Sequence, residues 1–163
     1  MATVEVTFTP LPVHVRTARL VATAVARRSG VAESLLDEVR LAVGEACSRA
    51  VEAHLRHCPG QPIRVALTDD GEQFLVVVTD AVPGAEHGMP TGTVAADGNH
   101  AVPSAAPAGF ATGSAANDGE VPLRLPDGVG LAVIAGLADD VRIAAAGSGT
   151  SVAMSWKRRT NPV

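Results

Sequence analysis

The sequence predicts an α+β domain, a two-layer α/β sandwich with a mainly antiparallel sheet and helices on one face. Three observations predict it. Two stretches in the first 60 residues carry apolar side chains at helical spacing, one of them for about five turns. Five shorter stretches alternate apolar and polar residues with period two, the pattern of strands that bury one face. Their order, β-α-α-β-β, then a long Ala/Gly/Pro-rich segment, then α-β-β, lets successive strands pair antiparallel and gives every apolar stripe something to pack against.

The first strand is TVEVTF (3–8), with Val4, Val6 and Phe8 on one face; Pro10 and Pro12 end it. Pro12 also suits the first turn of a helix, where its missing N–H leaves nothing unpaired. From Val13 to Arg28, Ala18, Val21, Ala22 and Val25 share a face; Arg27 and Arg28 suit the last turn, and Gly30 stops the helix. A second helix opens at Ser34, which with Asp37 has the form of a capping box. Its stripe runs Leu36, Val39, Val43, Ala46/Cys47, Ala50 and His54, and the CPG at 58–60 closes it. Ile63, Val65 and Leu67 face Phe74, Val76 and Val78 across a TDDGE linker whose Asp-Gly pair favours a tight turn, giving a β-hairpin.

Residues 81–126 hold 11 Ala, 7 Gly and 6 Pro in 46 positions, with Phe110 as the sole aromatic. Such a composition buries too little apolar surface to offset chain entropy, which predicts a flexible lid inserted in a single domain spanning 1–163. Order resumes with a Gly-rich turn opening a short helix (128–138), a strand around Val141 and Ile143, a GSG turn (147–149) and a last strand carrying Val152, Met154 and Trp156.

Apolar residues form 47% of the chain and aromatics 2%, so the core must be built from Ala, Val and Leu. A net charge of −4 argues against general attraction to nucleic acid or anionic membrane, and Lys157, Arg158 and Arg159 read as a solvated chain end. Cys47 and Cys58 match no metal spacing, and two cysteines suggest a reducing compartment. No basic leader and no apolar run of about 18 residues is present, which predicts a cytoplasmic protein. The five histidines form no HExxH-like pattern and read as structural or exposed.

Four segments carry the candidate chemistry: LAVGEACSRA (41–50) on the long helix, TDAVPG (79–84) after a strand, GVGL (128–131) opening a helix, and GSGT (147–150) before the last strand. On the residues alone, Glu45 and Arg49 share a helix face as an i, i+4 ion pair, Asp80 suits a strand-end turn, GVG is a turn before a helix, and Thr150 suits a strand. In this order, around these elements, the segments resemble the boxes of the GHKL ATPases over roughly residues 4–156. They are most similar to the anti-sigma factor branch, which includes the serine kinases that switch bacterial stress and sporulation sigma factors.

The resemblance implies Glu45 as the carboxylate that activates a nucleophile, Asp80 as the acceptor of the adenine amino group with Gly84 allowing close approach, Gly128 and Gly130 as backbone donors to phosphates, and Thr150 as the last box. Arg49 stands where the family has a Mg²⁺-ligating asparagine. A guanidinium has five donors and no acceptor, so either the metal is lost or Arg49 contacts phosphates directly. Val82 replaces the first glycine of the aspartate box. The implied function is an anti-sigma factor that sequesters a sigma factor and is countered by a STAS-fold anti-anti-sigma protein, with ATP or ADP bound weakly or not at all and kinase chemistry weakened or lost. One alternative is a working serine kinase that phosphorylates the STAS partner with Glu45 as catalytic base; another is a protein that sequesters the STAS partner alone. Ala18-Arg19 matches the family's partner-contacting position, with Arg16 one turn earlier. Homodimerisation through the sheet edge stays open.

Overall fold

The computed structural model describes residues 1–82, 92–94, 129–146 and 148–158. In chain order the elements are β1 (Ala2–Phe8), α1 (Pro12–Arg28), a 3-10 turn (Glu33–Leu35), α2 (Leu36–His57), β2 (Ile63–Asp69), β3 (Gln73–Asp80), β4 (Gly92–Val94), α3 (Val129–Leu137), β5 (Asp140–Ala146) and β6 (Gly149–Lys157). The strands form one antiparallel sheet in the order β1-β2-β3-β6-β5-β4, five long strands with the three-residue β4 at one edge. The α+β sandwich predicted from the pattern is the fold observed.

Alternation along the strands separates the two faces. Ile63, Val65, Leu67, Phe74, Val76, Val78, Val141, Ile143, Val152, Met154 and Trp156 are all buried, and register places Val76 opposite Met154 and Val78 opposite Val152. Burying side chains such as Ile63, Leu67 and Phe74 contributes about 1.5–3 kcal/mol each. The intervening residues lie on the opposite face, where the exposed Arg64 reaches Glu5 at 2.9 Å.

α2 is the central helix, packing on α1, on α3 and on β3. Its predicted stripe of Leu36, Val39, Val43, Ala46, Cys47, Ala50 and His54 is buried throughout. On α1 the buried positions are Val15, Ala18, Ala22 and Ala26, while Val21 and Val25 sit at the margin of the core. Alanines at these contacts let the helices approach closely, as a core poor in aromatics requires. Trp156, the single tryptophan, donates its indole N–H to the Leu137 carbonyl at 2.8 Å and so ties β6 to the end of α3.

Three local details differ from, or add to, the sequence reading. The Ser34–Asp37 capping box does not cap α2: the chain enters through the 3-10 turn, Leu35 holds the N-cap position without a side-chain bond, and Asp37 pairs with Arg40 at 2.9 Å instead. The hairpin turn is held by Asp70 Oδ1, which accepts the Glu72 and Gln73 N–H groups and so lowers the carboxyl's pKa, with Gly71 at φ 93. Arg158, read as a solvated end, instead reaches Asp69 at 3.3 Å. Within the 81–126 segment, residues 81–82 and the strand β4 are described; the rest of the predicted lid lies outside the described residues, as does Arg159.

Candidate functional site

α2 carries the site along its length. Glu45 is half-buried, and its carboxylate lies against the α-carbon of Gly130 in the first turn of α3: a β-carbon at position 130 would come within 2.5 Å of Oε1. Glycine is what allows a carboxylate so close to the helix. Arg49 follows one turn later and is half-buried. His54, nine residues beyond Glu45, stands about 13 Å further along the axis.

At that far end two strand termini meet. Asp80, 5% exposed, ends β3 directly opposite Thr150 near the start of β6. Its Oδ1 accepts the Val82 N–H at 2.9 Å and the Thr150 N–H at 3.3 Å; Oδ2 takes part in neither bond. Thr150 is 1% exposed, and its hydroxyl is one of two buried side-chain atoms without a hydrogen-bond partner among the described residues. The two strands cross closely because position 149 is glycine, at φ 146; a β-carbon there would fall on the Asp80 carbonyl oxygen. Val82, which stands in place of the first glycine of the aspartate box, is fully buried.

The other unpartnered atom is Arg19 Nε. The Arg19 guanidinium lies across the α-carbon of Gly44, where a β-carbon would collide with it. The side chain is half-buried in the crossing of α1 and α2, whereas Arg16 is exposed. Cys47, fully buried beside it, has its thiol pushed up to about 12 by burial, against the opposing pull of the Arg19 charge. Cys58 is raised too, by burial first and then by the Asp80 charge, which places it near the Asp80 end.

Of the residues singled out in the sequence, the fold therefore brings Glu45 to Gly130 and Asp80 to Thr150, with Arg49 between them along α2. Arg16 and Arg19 lie apart, on α1. Gly84 and Gly128 lie outside the described residues. His54 escaped sequence reasoning, as one more member of a core stripe; Gly44 and Gly149 lie inside the first and last of the four segments, but the atoms that face them are not legible in the sequence.

The geometry admits a hydrogen-bonding ligand at the Asp80 end, where a buried hydroxyl lacks a partner among the described residues. Arg49 has no acceptor atom, and no group of three His, Cys, Asp or Glu side chains among the described residues is placed to hold a metal. Among the described residues no helix is long and apolar enough to cross a membrane.

A helix-backed antiparallel sheet, with a glycine-opened helix facing a carboxylate on the central helix, defines an ATPase-like domain. The sequence model of the histidine kinase-like ATPase domain matches residues 8–156, and the chain belongs to that GHKL-type family. A comparison with curated proteins gives no match.

Proposed function

We propose that this chain is an anti-sigma factor that acts by binding: it sequesters a sigma factor and releases it when a STAS-fold anti-anti-sigma protein takes its place. In this reading ATP or ADP binds weakly or not at all, and Mg²⁺ is not used. The observation that carries it is the chemistry at Arg49, a donor-only side chain on the helix face where the resemblance calls for a metal-ligating acceptor. Two further features support it. Asp80 Oδ1 is already committed to two backbone N–H groups, and Val82 is fully buried in the box where glycine is expected. A half-buried Arg19 whose Nε has no hydrogen-bond partner among the described residues supports the partner side of the reading, since arginines are common interface anchors.

Two measurements test it. Affinity capture from cells followed by mass spectrometry is expected to recover a sigma factor and a STAS-domain protein; recovery of neither class defeats the assignment, and a STAS protein alone favours sequestration of that partner only. Calorimetric titration with Mg·ATP and Mg·ADP is expected to show little binding, and micromolar binding of both defeats the nucleotide part.

A second reading, a serine kinase acting on the STAS partner, draws on the Glu45 carboxylate at the start of α3 and the Thr150 hydroxyl, which has no partner among the described residues. ATP would fit the latter end through hydrogen bonds to Asp80 and Thr150, and Glu45 would take the proton of the attacking hydroxyl. Phosphate transfer from labelled ATP to the STAS protein, abolished by Glu45→Ala, would establish this reading over the first.

A further inference from the structure

His54 is fully buried near the end of α2, on the same stripe as Ala50. Its Nδ1 lies 2.9 Å from the carbonyl oxygen of Gln61, and its Nε2 lies 2.9 Å from the amide nitrogen of Ala81. A carbonyl only accepts and a peptide N–H only donates, so these partners assign the tautomer: Nδ1 carries the proton and Nε2 accepts. The ring thereby ties the last turn of α2 to the chain before β2 and to the residue just after β3.

That second tie falls on a critical peptide unit. The Asp80–Ala81 peptide has its N–H held by His54 and its C=O facing the α-carbon of Gly149. The Asp80 carboxylate, on the same residue, collects the Val82 and Thr150 N–H groups. Whatever moves the Ala81 amide moves the frame that aims this carboxylate.

We propose that His54 is a proton-sensitive latch that positions Asp80: the neutral ring fixes the Asp80–Ala81 peptide, and a second proton, on Nε2, sets N–H against N–H and frees it. Among the described residues, the charged and titratable groups on the elements around the ring are Arg49, Glu52 and Arg56 on α2 (the last two paired at 4.0 Å), Cys58 just past its end and Asp80 on β3; Arg64 of β2 is exposed on the helix-free face and paired with Glu5. His57, three residues on, is exposed. The latch is a property of the fold and does not depend on which ligand or partner the domain takes, so it stands or falls separately from the proposed function.

Amide hydrogen exchange read by NMR on the full chain tests it, with wild type, His54→Gln and His54→Phe. Glutamine can offer an N–H and a carbonyl oxygen where the ring had its donor and acceptor, but it does not titrate. Phenylalanine fills the space and makes neither bond. At neutral pH the Gln variant is expected to protect Ala81 like wild type. The Phe variant is expected to exchange it about tenfold faster or more, with the Val82 and Thr150 amides following and the Glu72 and Gln73 turn amides unchanged. As pH falls, the exchange ratio of wild type to the Gln variant at Ala81 is expected to rise about tenfold, because glutamine has no ring nitrogen to take the second proton that would break the Ala81 bond. A ratio that stays flat overturns the latch. So does a nitrogen-15 spectrum placing the ring proton on Nε2 at neutral pH, or a Phe variant in which Val82 and Thr150 keep their protection. Should the Phe variant not fold, the pH-dependent ratio and the ring nitrogen shifts decide alone.

Discussion

Gly149→Ala isolates how closely β6 must approach β3 to build the Asp80 end of the site. Two penalties combine there. The backbone sits at φ 146, where only glycine is at ease, and forcing another residue into such a region costs about 1–3 kcal/mol. The new β-carbon would also land on the Asp80 carbonyl oxygen, a backbone atom that cannot swing aside, adding an overpacking cost of about 1–3 kcal/mol. The sum, roughly 2–6 kcal/mol, is a large share of the roughly 5–15 kcal/mol that holds a domain together. Urea denaturation followed through Trp156, which is 1% exposed and therefore reports global unfolding, measures it. Gly136→Ala on α3 is the control. A β-carbon there meets nothing within 4 Å among the described residues, and removing a helical glycine should be neutral or stabilise by up to about 1 kcal/mol. A Gly149→Ala loss below about 1 kcal/mol, or no difference from Gly136→Ala, would refute the claim that this crossing demands glycine.

Three further predictions rest on separate contacts. Arg19→Met removes the guanidinium that lies over Gly44, together with an Nε that has no partner among the described residues, so stability in urea should hold or rise by about 1 kcal/mol while partner capture is lost; a destabilisation would show the guanidinium to be structural. Cys58 should react with iodoacetamide in the native protein and Cys47 only on unfolding, since burial holds the Cys47 thiol protonated up to about 12; mass spectrometry of the labelled peptides decides. Asp70, lowered by the Gln73 and Glu72 N–H groups, contributes stability above its unfolded carboxylate value that is lost as pH falls through the lower folded value. The gap in urea midpoint between wild type and Asp70→Ala should therefore narrow in acid, and a constant gap would contradict the assignment.

Period alone disclosed most of the sandwich, because strands and helices that bury one face must write that face into the sequence. Phe74, Val76 and Val78 could be placed against Val152, Met154 and Trp156 only in kind; their register came with the fold. What stayed hidden was contact between elements distant in sequence. The i, i+4 spacing of Glu45 and Arg49 was visible, but Gly130 as the surface that Glu45 meets was not. His54 was placed on the correct stripe, yet nothing local shows that its ring reaches Ala81, 27 residues away. The capping box failed for a related reason. Ser34 and Asp37 have the right identities, but the chain enters α2 through a 3-10 turn that moves the N-cap to Leu35.

The two orphaned polar atoms bear on why the domain is built this way. Leaving a buried donor or acceptor unpaired costs about 1–3 kcal/mol, and Arg19 Nε and Thr150 Oγ1 have no partner among the described residues. One orphan lies in the α1–α2 crossing, where partner contact is proposed, and the other lies beside Asp80, at the end of the site opposite Glu45. Binding at either place would supply the missing hydrogen-bond partner, and the cost carried in the free protein would become part of the affinity for whatever supplies it.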